Sequence, residues 1–394
     1  MAEVTEDAPP RGASWALLAG NFAIASGVIV TTGALNDIAL SLRVSVALAG
    51  QLVSVAALVM AIGAPALALW FSGRAGAWDR RLLLTAALLW FALGHALSAC
   101  MPSFASLLPV RALTMLGAAL FTPQAAATIS VLTAPSARGR ALTFIFLGWS
   151  LASVLAMPMH SFVADTFGWR WAFGVVAALS VLAALAVWRA VPRGVRPPSM
   201  TLAAWSATLR DPWLMGLVAV TVFSATGQFT LFAFLAPYFR LQIGLGAGEA
   251  SLLFLWFGAF GLVGNMLLTR VVDVVGAARC ASAGLACIAL ALALWPLGVG
   301  LITMAGACLF WGLGCFSSNS AQQARLADAA PERAQALIAL NSSAMYLGQT
   351  LGAAGGGAVI AASGLSALWP LALAWLVLSL GLSLWLTPRK LVPA

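Results

Sequence analysis

Apolar runs of about 20 residues, separated by short polar or glycine-rich turns, recur along the chain. At 1.5 Å of helical rise per residue, each is long enough to cross roughly 30 Å of hydrocarbon. The spacing predicts twelve membrane spans. The first six cover 15–38, 46–72, 82–101, 104–132, 141–166 and 169–189; the second six cover 212–239, 248–269, 280–298, 300–324, 335–362 and 366–387. The longest polar connector lies between the two sixes, Val191 to Asp211, and its prolines and arginines resist both helix continuation and membrane entry. The expected organisation is a tail at 1–14, a six-helix bundle at 15–190, a linker at 191–211, a second bundle at 212–387 and a tail at 388–394.

The breaks repeat as well as the spans. Gly73-Arg74-Ala75-Gly76-Ala77-Trp78-Asp79-Arg80-Arg81 joins spans 2 and 3, and Arg270 to Arg279, with Asp273 and Gly276 inside it, joins spans 8 and 9. Ala134-Pro135 precedes span 5 as Ala330-Pro331 precedes span 11, and Gly148 in span 5 has Gly348 as its counterpart in span 11. The halves read as parallel repeats about an axis along the membrane normal, an arrangement found in secondary transporters.

Composition agrees and closes off other classes. With 62% hydrophobic and 8% charged residues, the chain lies far outside the soluble range. The net charge of +9 is spread singly and in pairs over short loops rather than gathered on one surface, so membrane topology accounts for it and nucleic acid is not an expected partner. Sixteen of the Lys and Arg side chains fall on one side of the predicted topology and only Arg43, Arg170 and Arg240 on the other, which places both termini in the cytoplasm. Pro9-Pro10 ahead of a full-length first span argues against a cleaved leader. The five cysteines lie in or beside apolar segments without paired spacing, so they are expected to be packing residues.

Five short stretches, in order, then resemble the major facilitator superfamily, and within it the proton-coupled drug and sugar (arabinose-type) efflux permeases. They are Ala64-Pro65 with the Arg74–Arg81 loop; Arg138-Gly139-Arg140; the run from Gly148 to Pro158; Gly168-Trp169-Arg170-Trp171-Ala172-Phe173; and Asn341-Ser342-Ser343 with Tyr346-Leu347-Gly348. The resemblance covers about residues 15–387 and implies an all-α fold of twelve transmembrane helices in two pseudo-symmetric six-helix bundles around a central cavity. It also implies that Arg74, Asp79, Arg80, Arg81, Arg138, Arg140, Asp273, Gly276 and Arg279 form a paired cytoplasmic gate. Gly73 stands where the family carries an aspartate, so Asp79 or the charges at Arg138 and Arg140 are expected to substitute for it. Ala156 and His160 stand where the family has glycines, and Thr114 and Met115 follow Arg111 in place of its usual neighbours.

Several polar side chains inside the spans invite chemistry. Arg111, about seven residues into span 4, is a fixed cation suited to neighbouring carbonyls, an anionic substrate group or a titratable neighbour. His160 follows Pro158 at the end of a small-residue stripe formed by Gly148, Ala152 and Ala156, and an imidazole there is a candidate proton site. His95 and Asp37 are further proton candidates, and Asp37, Asp165 and Glu249 all fall at the non-cytoplasmic ends of their spans. Asn21, Gln124, Gln228, Asn319, Gln322 and Asn341, with Tyr346, are candidate substrate contacts, because amides hydrogen-bond without the desolvation cost of a charge. Trp90, Trp149, Trp256 and Trp311 are mid-span aromatics available to line a cavity or to pack.

No phosphate loop, dinucleotide fingerprint or metal-ligand cluster is present in the sequence, so no cofactor is expected, and scattered histidines and acids argue against a membrane-embedded hydrolase. The expectation is a monomeric exporter of small organic molecules in a bacterial inner membrane, working by alternating access with proton antiport. A proton-independent facilitator, an importer of a small organic anion and a non-transporting sensor are the alternatives.

Overall fold

A computed structural model describes residues 11–73, 78–134, 138–196, 206, 208–330 and 333–387. No strand occurs among them. The long helices are α1 (Arg11–Gly33), α2 (Gln51–Gly73), α3 (Arg80–Cys100), α4 (Phe104–Val131), α5 (Arg138–Leu151, continuing as Met157–Phe167), α6 (Trp169–Ala190), α7 (Pro212–Phe232), α8 (Ala247–Val275), α9 (Ala277–Leu294), α10 (Leu301–Ala329), α11 (Ala334–Ser363) and α12 (Leu368–Trp385). Eleven described segments are long and apolar enough to span a membrane by length and composition. The remaining long helix, α11, is 30 residues. It is less apolar because it carries Asn341, Gln349 and a run of glycines at 355–357.

The chain divides into two compact units, Met1–Met200 and Thr201–Ala394. In the first, α1 packs against α5 and α6, α3 against α4 and α6, and α2 against α4. In the second, α7 packs against α11 and α12, α9 against α10 and α12, and α8 against α10. Each pairing in one bundle has its counterpart six helices on, so the repeat seen in the turns extends to the packing. Gly148 and Gly348 mark a matched close approach within it. A Cβ at Gly148 would meet the Leu18 carbonyl and the Phe22 N–H of α1, and a Cβ at Gly348 would meet the Val222 carbonyl and the Thr226 N–H of α7. Backbones this close leave no room for a side chain.

Several boundaries differ from the sequence reading for identifiable reasons. The first span breaks at Ala34 and resumes as a short helix, Leu35–Leu42, whose end is Arg43 in the left-handed region (φ 54°). The stretch Arg270–Val275 is not a loop, because nothing in it breaks a helix before Gly276. Gly276, with φ 91°, makes the whole turn between α8 and α9. Helix α10 likewise runs on to Ala329, which puts Arg325 inside it. In α5 a π-helical turn at Ala152–Ala156 precedes Pro158, whose missing N–H interrupts the regular ladder. All five cysteines are free thiols.

Candidate functional site

Arg111, His95 and His160 of unit 1 meet three consecutive residues of α1, Ser26 to Val28. The Arg111 guanidinium on α4 is fully buried. It donates to the Gly27 carbonyl at 2.7 Å, the Val28 carbonyl at 3.2 Å and His95 Nε2 on α3 at 2.9 Å. His95 Nδ1 lies 2.8 Å from the Phe91 carbonyl. A carbonyl only accepts, so Nδ1 carries the proton and Nε2 offers the lone pair that Arg111 needs. The two side chains thus form a cation and a neutral acceptor. Phe173 backs them both, with its ring centroid 5.7 Å from the imidazole centroid and 5.7 Å from the guanidinium carbon. That position explains the aromatic end of the Gly168–Phe173 motif.

His160 reaches the neighbouring residue of the same stretch. Its Nε2 and the Ser26 hydroxyl are 2.7 Å apart, and its Nδ1 is buried without a partner. The stripe expected on α5 does face α1: Gly148 lies against Leu18 and Phe22, Ala152 and Ala156 pack with Ala25, and His160 lies against Ser26 and Gly33. Asn21, one turn before Ala25, is buried and donates to the Ile145 carbonyl at 3.0 Å, while its own amide oxygen has no partner. Gln124 is buried on α4. Asp37 is half-buried in the short helix after α1 and makes a contact of its own there.

Unit 2 holds a different chemistry. Thr221, Ser224 and Gln228 lie on one face of α7 at helical spacing, opposite Ser318, Asn319 and Gln322 on α10. The Thr221 hydroxyl donates to the Asn341 side-chain carbonyl at 2.5 Å. The Asn341 amide donates to Asn319 Oδ1 at 3.3 Å. Gln228 donates to Ser224 at 3.1 Å and accepts from the Trp311 indole at 3.4 Å. Gln322 donates to the Leu217 carbonyl at 2.7 Å and keeps an unpartnered buried oxygen. Val220, Ala225, Ala281, Leu285 and Met345 complete the walls of a groove whose enclosed space is about 20 Å³. That is room for a water and too little for a solute, so binding there requires the helices to part.

The structure therefore brings Gln228, Asn319, Gln322 and Asn341 together and brings Arg111, His95 and His160 together. Tyr346 is half-buried on α11 outside the groove's lining. Trp311 is fully buried, Trp149 packs beside Ala152, and Trp90 and Trp256 are partly exposed, donating to the Leu113 and Ala305 carbonyls. Sequence reasoning missed Ser26, Thr221 and Ser224, because a lone hydroxyl in an apolar helix carries little signal; the 221–224–228 spacing was the available clue. It also missed Arg325, counted as a loop charge. Arg325 is buried and binds the Ser383 hydroxyl and carbonyl at 2.9 and 3.1 Å, holding the end of α12 to α10.

Of the expected gate, Asp79 caps α3 by accepting from Arg81 N–H at 2.9 Å, and its second oxygen accepts from Gly194 N–H, also at 2.9 Å. It thus ties the chain leaving α6 to the start of α3. Arg81 stacks on Trp188 with 4.2 Å to the ring centroid, and Arg80 is buried. Arg279 is exposed and Gly276 forms the turn before it. Arg74 lies outside the described residues, as do the side chains of Arg138, Arg140 and Asp273. At the opposite end, Glu249 caps α8 through the Gly246 N–H at 2.8 Å.

Two repeated six-helix bundles, each enclosing polar side chains between apolar helices, define a polytopic membrane transporter rather than an enzyme. The sequence model of the Major Facilitator Superfamily matches residues 17–353, and the chain belongs to that family. It is 28% identical over 347 residues to the inner membrane transport protein YdhP of Escherichia coli K12, covering 88% of both chains. It is 25% identical over 346 residues to the uncharacterized MFS-type transporter YbcL of Bacillus subtilis, covering 86% of both. Among solved structures, the D-xylose–proton symporter has the same fold with a TM-score of 0.76 at 19% identity, covering 98% of both chains. The human organic anion transporter MFSD10 (TETRAN) reaches 0.71 at 15% identity, covering 95% of this chain and 100% of that one.

Proposed function

We propose that this transporter exports small organic molecules, drug-like or sugar-like and neutral or weakly polar, by alternating access driven by proton antiport. It does so as a monomer in a bacterial inner membrane with both termini in the cytoplasm. The observation that carries the reading is the pairing of an uncharged polar groove in unit 2 with a buried imidazole in unit 1. The groove of unit 2 offers amides and hydroxyls and no charged group, which suits a solute that donates and accepts hydrogen bonds. Unit 1 buries the imidazole of His160 with one ring nitrogen engaged and the other unpartnered. When Ser26 accepts from Nε2–H, Nδ1 holds a free lone pair and takes a proton without breaking an existing bond. Arg111 is fixed on the Gly27 and Val28 carbonyls, next along α1 from Ser26. A proton at His160 would therefore bias the helix contacts that Ser26 anchors, the coupling an antiporter needs. Asp37 is the second candidate for the proton path.

Purified chain in liposomes under an imposed pH gradient provides the test. Solute movement is expected to drive proton movement, and His160→Ala is expected to uncouple the two, with Asp37→Asn and Arg111→Ala as comparisons. Solute flux with no proton flux at any gradient overturns the antiport reading. One observation favours a second reading, import or facilitation of a small organic anion: the Arg111 guanidinium meets carbonyls and an imidazole but no carboxylate. Saturable anion flux abolished by Arg111→Ala and indifferent to His160→Ala would select it. No solute flux across a broad compound screen would select the sensor.

A further inference from the structure

Among the described residues that line the groove of unit 2, the polar side chains come from α7 and α10, whereas α9 supplies Ala281 and Leu285 and α11 supplies Met345. Two walls can hydrogen-bond and two cannot. The polar walls are also uneven in what they leave free. Asn319 Oδ1 already accepts from the Asn341 amide and Gln228 Oε1 from the Trp311 indole, while Gln322 Oε1 is enclosed. Two donors remain. The Ser224 hydroxyl accepts from Gln228 Nε2, and its own proton has no acceptor among the described residues. The carbonyl four residues back, which Ser282 and Ser317 use in their own helices, is here Val220, and it accepts from the Ser379 hydroxyl of α12 at 2.8 Å. With its helical N–H as well, both lone pairs of that carbonyl are taken. On the facing helix, half-buried Asn319 keeps its amide N–H groups without a partner among the described residues.

We propose that the groove selects uncharged amphipathic solutes with a carbonyl-type acceptor at one edge and an apolar body, and rejects polyols such as free sugars. Ser224 and Asn319 hold the acceptor, and Leu285 and Met345 receive the body. The assignment rests on the groove being the solute site of the transporter, and it narrows the solute to one class. A carbonyl oxygen has two lone pairs and no proton, so it can take both free donors and leaves no donor of its own unsatisfied. A polyol turns hydroxyls in every direction, and those facing α9 and α11 would lose water without gaining a partner. The apolar walls therefore discriminate as much as the polar ones do.

The test is equilibrium dialysis of the full chain in lipid nanodiscs against radiolabelled N,N-dimethylbenzamide, which has an acceptor, an apolar ring and no N–H. Uptake by empty nanodiscs is subtracted. Saturable binding is expected, and a hundredfold excess of sorbitol is expected to leave it in place. Ser224→Ala is expected to weaken binding about tenfold, as loss of one well-made hydrogen bond would. Met345→Gln, a change of similar size at a half-buried position, is expected to weaken the amide and to let sorbitol compete. Asn319→Asp keeps the oxygen that accepts from Asn341 and removes the amide donor, so it decides the matter should Ser224→Ala fail to fold. Sorbitol displacing the amide from the unaltered chain overturns the selectivity, while leaving the groove as a site for neutral solutes. Amide affinity unchanged in both Ser224→Ala and Asn319→Asp overturns the assignment to these donors. Saturable amide flux in liposomes that is lost in Ser224→Ala and moves no protons supports the solute class and removes only the antiport reading.

Discussion

Replacing His95 with phenylalanine tests whether unit 1 is organised around a buried cation with a neutral acceptor. The ring volume is nearly kept, and the edge-on contact with Phe91, at 4.3 Å between centroids, has an aromatic partner in either case. The cavity cost is therefore small, and the change isolates hydrogen bonding. Arg111 Nη1 loses its acceptor at 2.9 Å inside a fully buried site. An unsatisfied buried donor on a charged group costs about 2–3 kcal/mol. The bond from Nδ1–H to the Phe91 carbonyl is also lost, but that carbonyl belongs to α3 and keeps a helical donor, so this adds about 0.5–1 kcal/mol. The expected destabilisation is about 2.5–4 kcal/mol. His95→Gln, whose amide oxygen can accept from Nη1, is expected to recover at least half of it. The assay is reversible unfolding in mixed micelles, run as a double-mutant cycle with Arg111→Met. A coupling energy of about 1.5–3 kcal/mol is expected, because the double variant leaves no orphaned donor. A coupling below about 0.5 kcal/mol would refute the pairing, whatever the single variants do.

The repeat makes its own prediction: Gly148→Ala and Gly348→Ala should each cost about 1–3 kcal/mol, because the new methyl forces α5 from α1 or α11 from α7. Matched unfolding curves check it, and one silent variant beside a damaging one would break the equivalence of the two contacts. Asp79→Ala removes acceptors from both the Arg81 and Gly194 N–H groups, costs about 1–2 kcal/mol, and should speed limited proteolysis at residues 191–196; Asp79→Asn with unchanged transport and unchanged conformational balance counts against a gating role. Gln228→Ala orphans the Trp311 indole and removes a groove amide, so the half-saturating solute concentration should rise about tenfold in liposome flux, and an unaltered value removes Gln228 from the solute's path.

The fold was legible because membrane spans advertise themselves by length and apolarity, and because the two halves repeat the same turns. The limits of that legibility are local. Arg325 was read as a loop charge because a basic residue near a span end usually marks the interface, yet α10 runs past it and folds it back onto the end of α12. The apolar stretch around Ser26 gave no sign that three successive positions of α1 would receive His160 and Arg111. That information lies in which helices meet, and α3, α4 and α5 supply the partners from as far as 134 residues away.

The candidate residues followed the same rule, and the reason bears on how the site works. The amides Gln228, Asn319, Gln322 and Asn341 were individually visible as polar side chains in apolar spans, and nothing in the sequence separated them from Asn21, which bonds a backbone carbonyl in the other unit. What distinguishes them is connection. Thr221 links to Asn341 and Asn341 to Asn319, while Ser224 links to Gln228 and Gln228 to Trp311. Each bond in those two chains is made between neutral groups, so exchanging it for a bond to a solute leaves no buried charge behind, and the exchange can be nearly balanced in free energy. The contacts of Arg111 cannot be exchanged so cheaply. A site that must open and close repeatedly is better built from the first kind of bond, and a fixed contact between helices from the second.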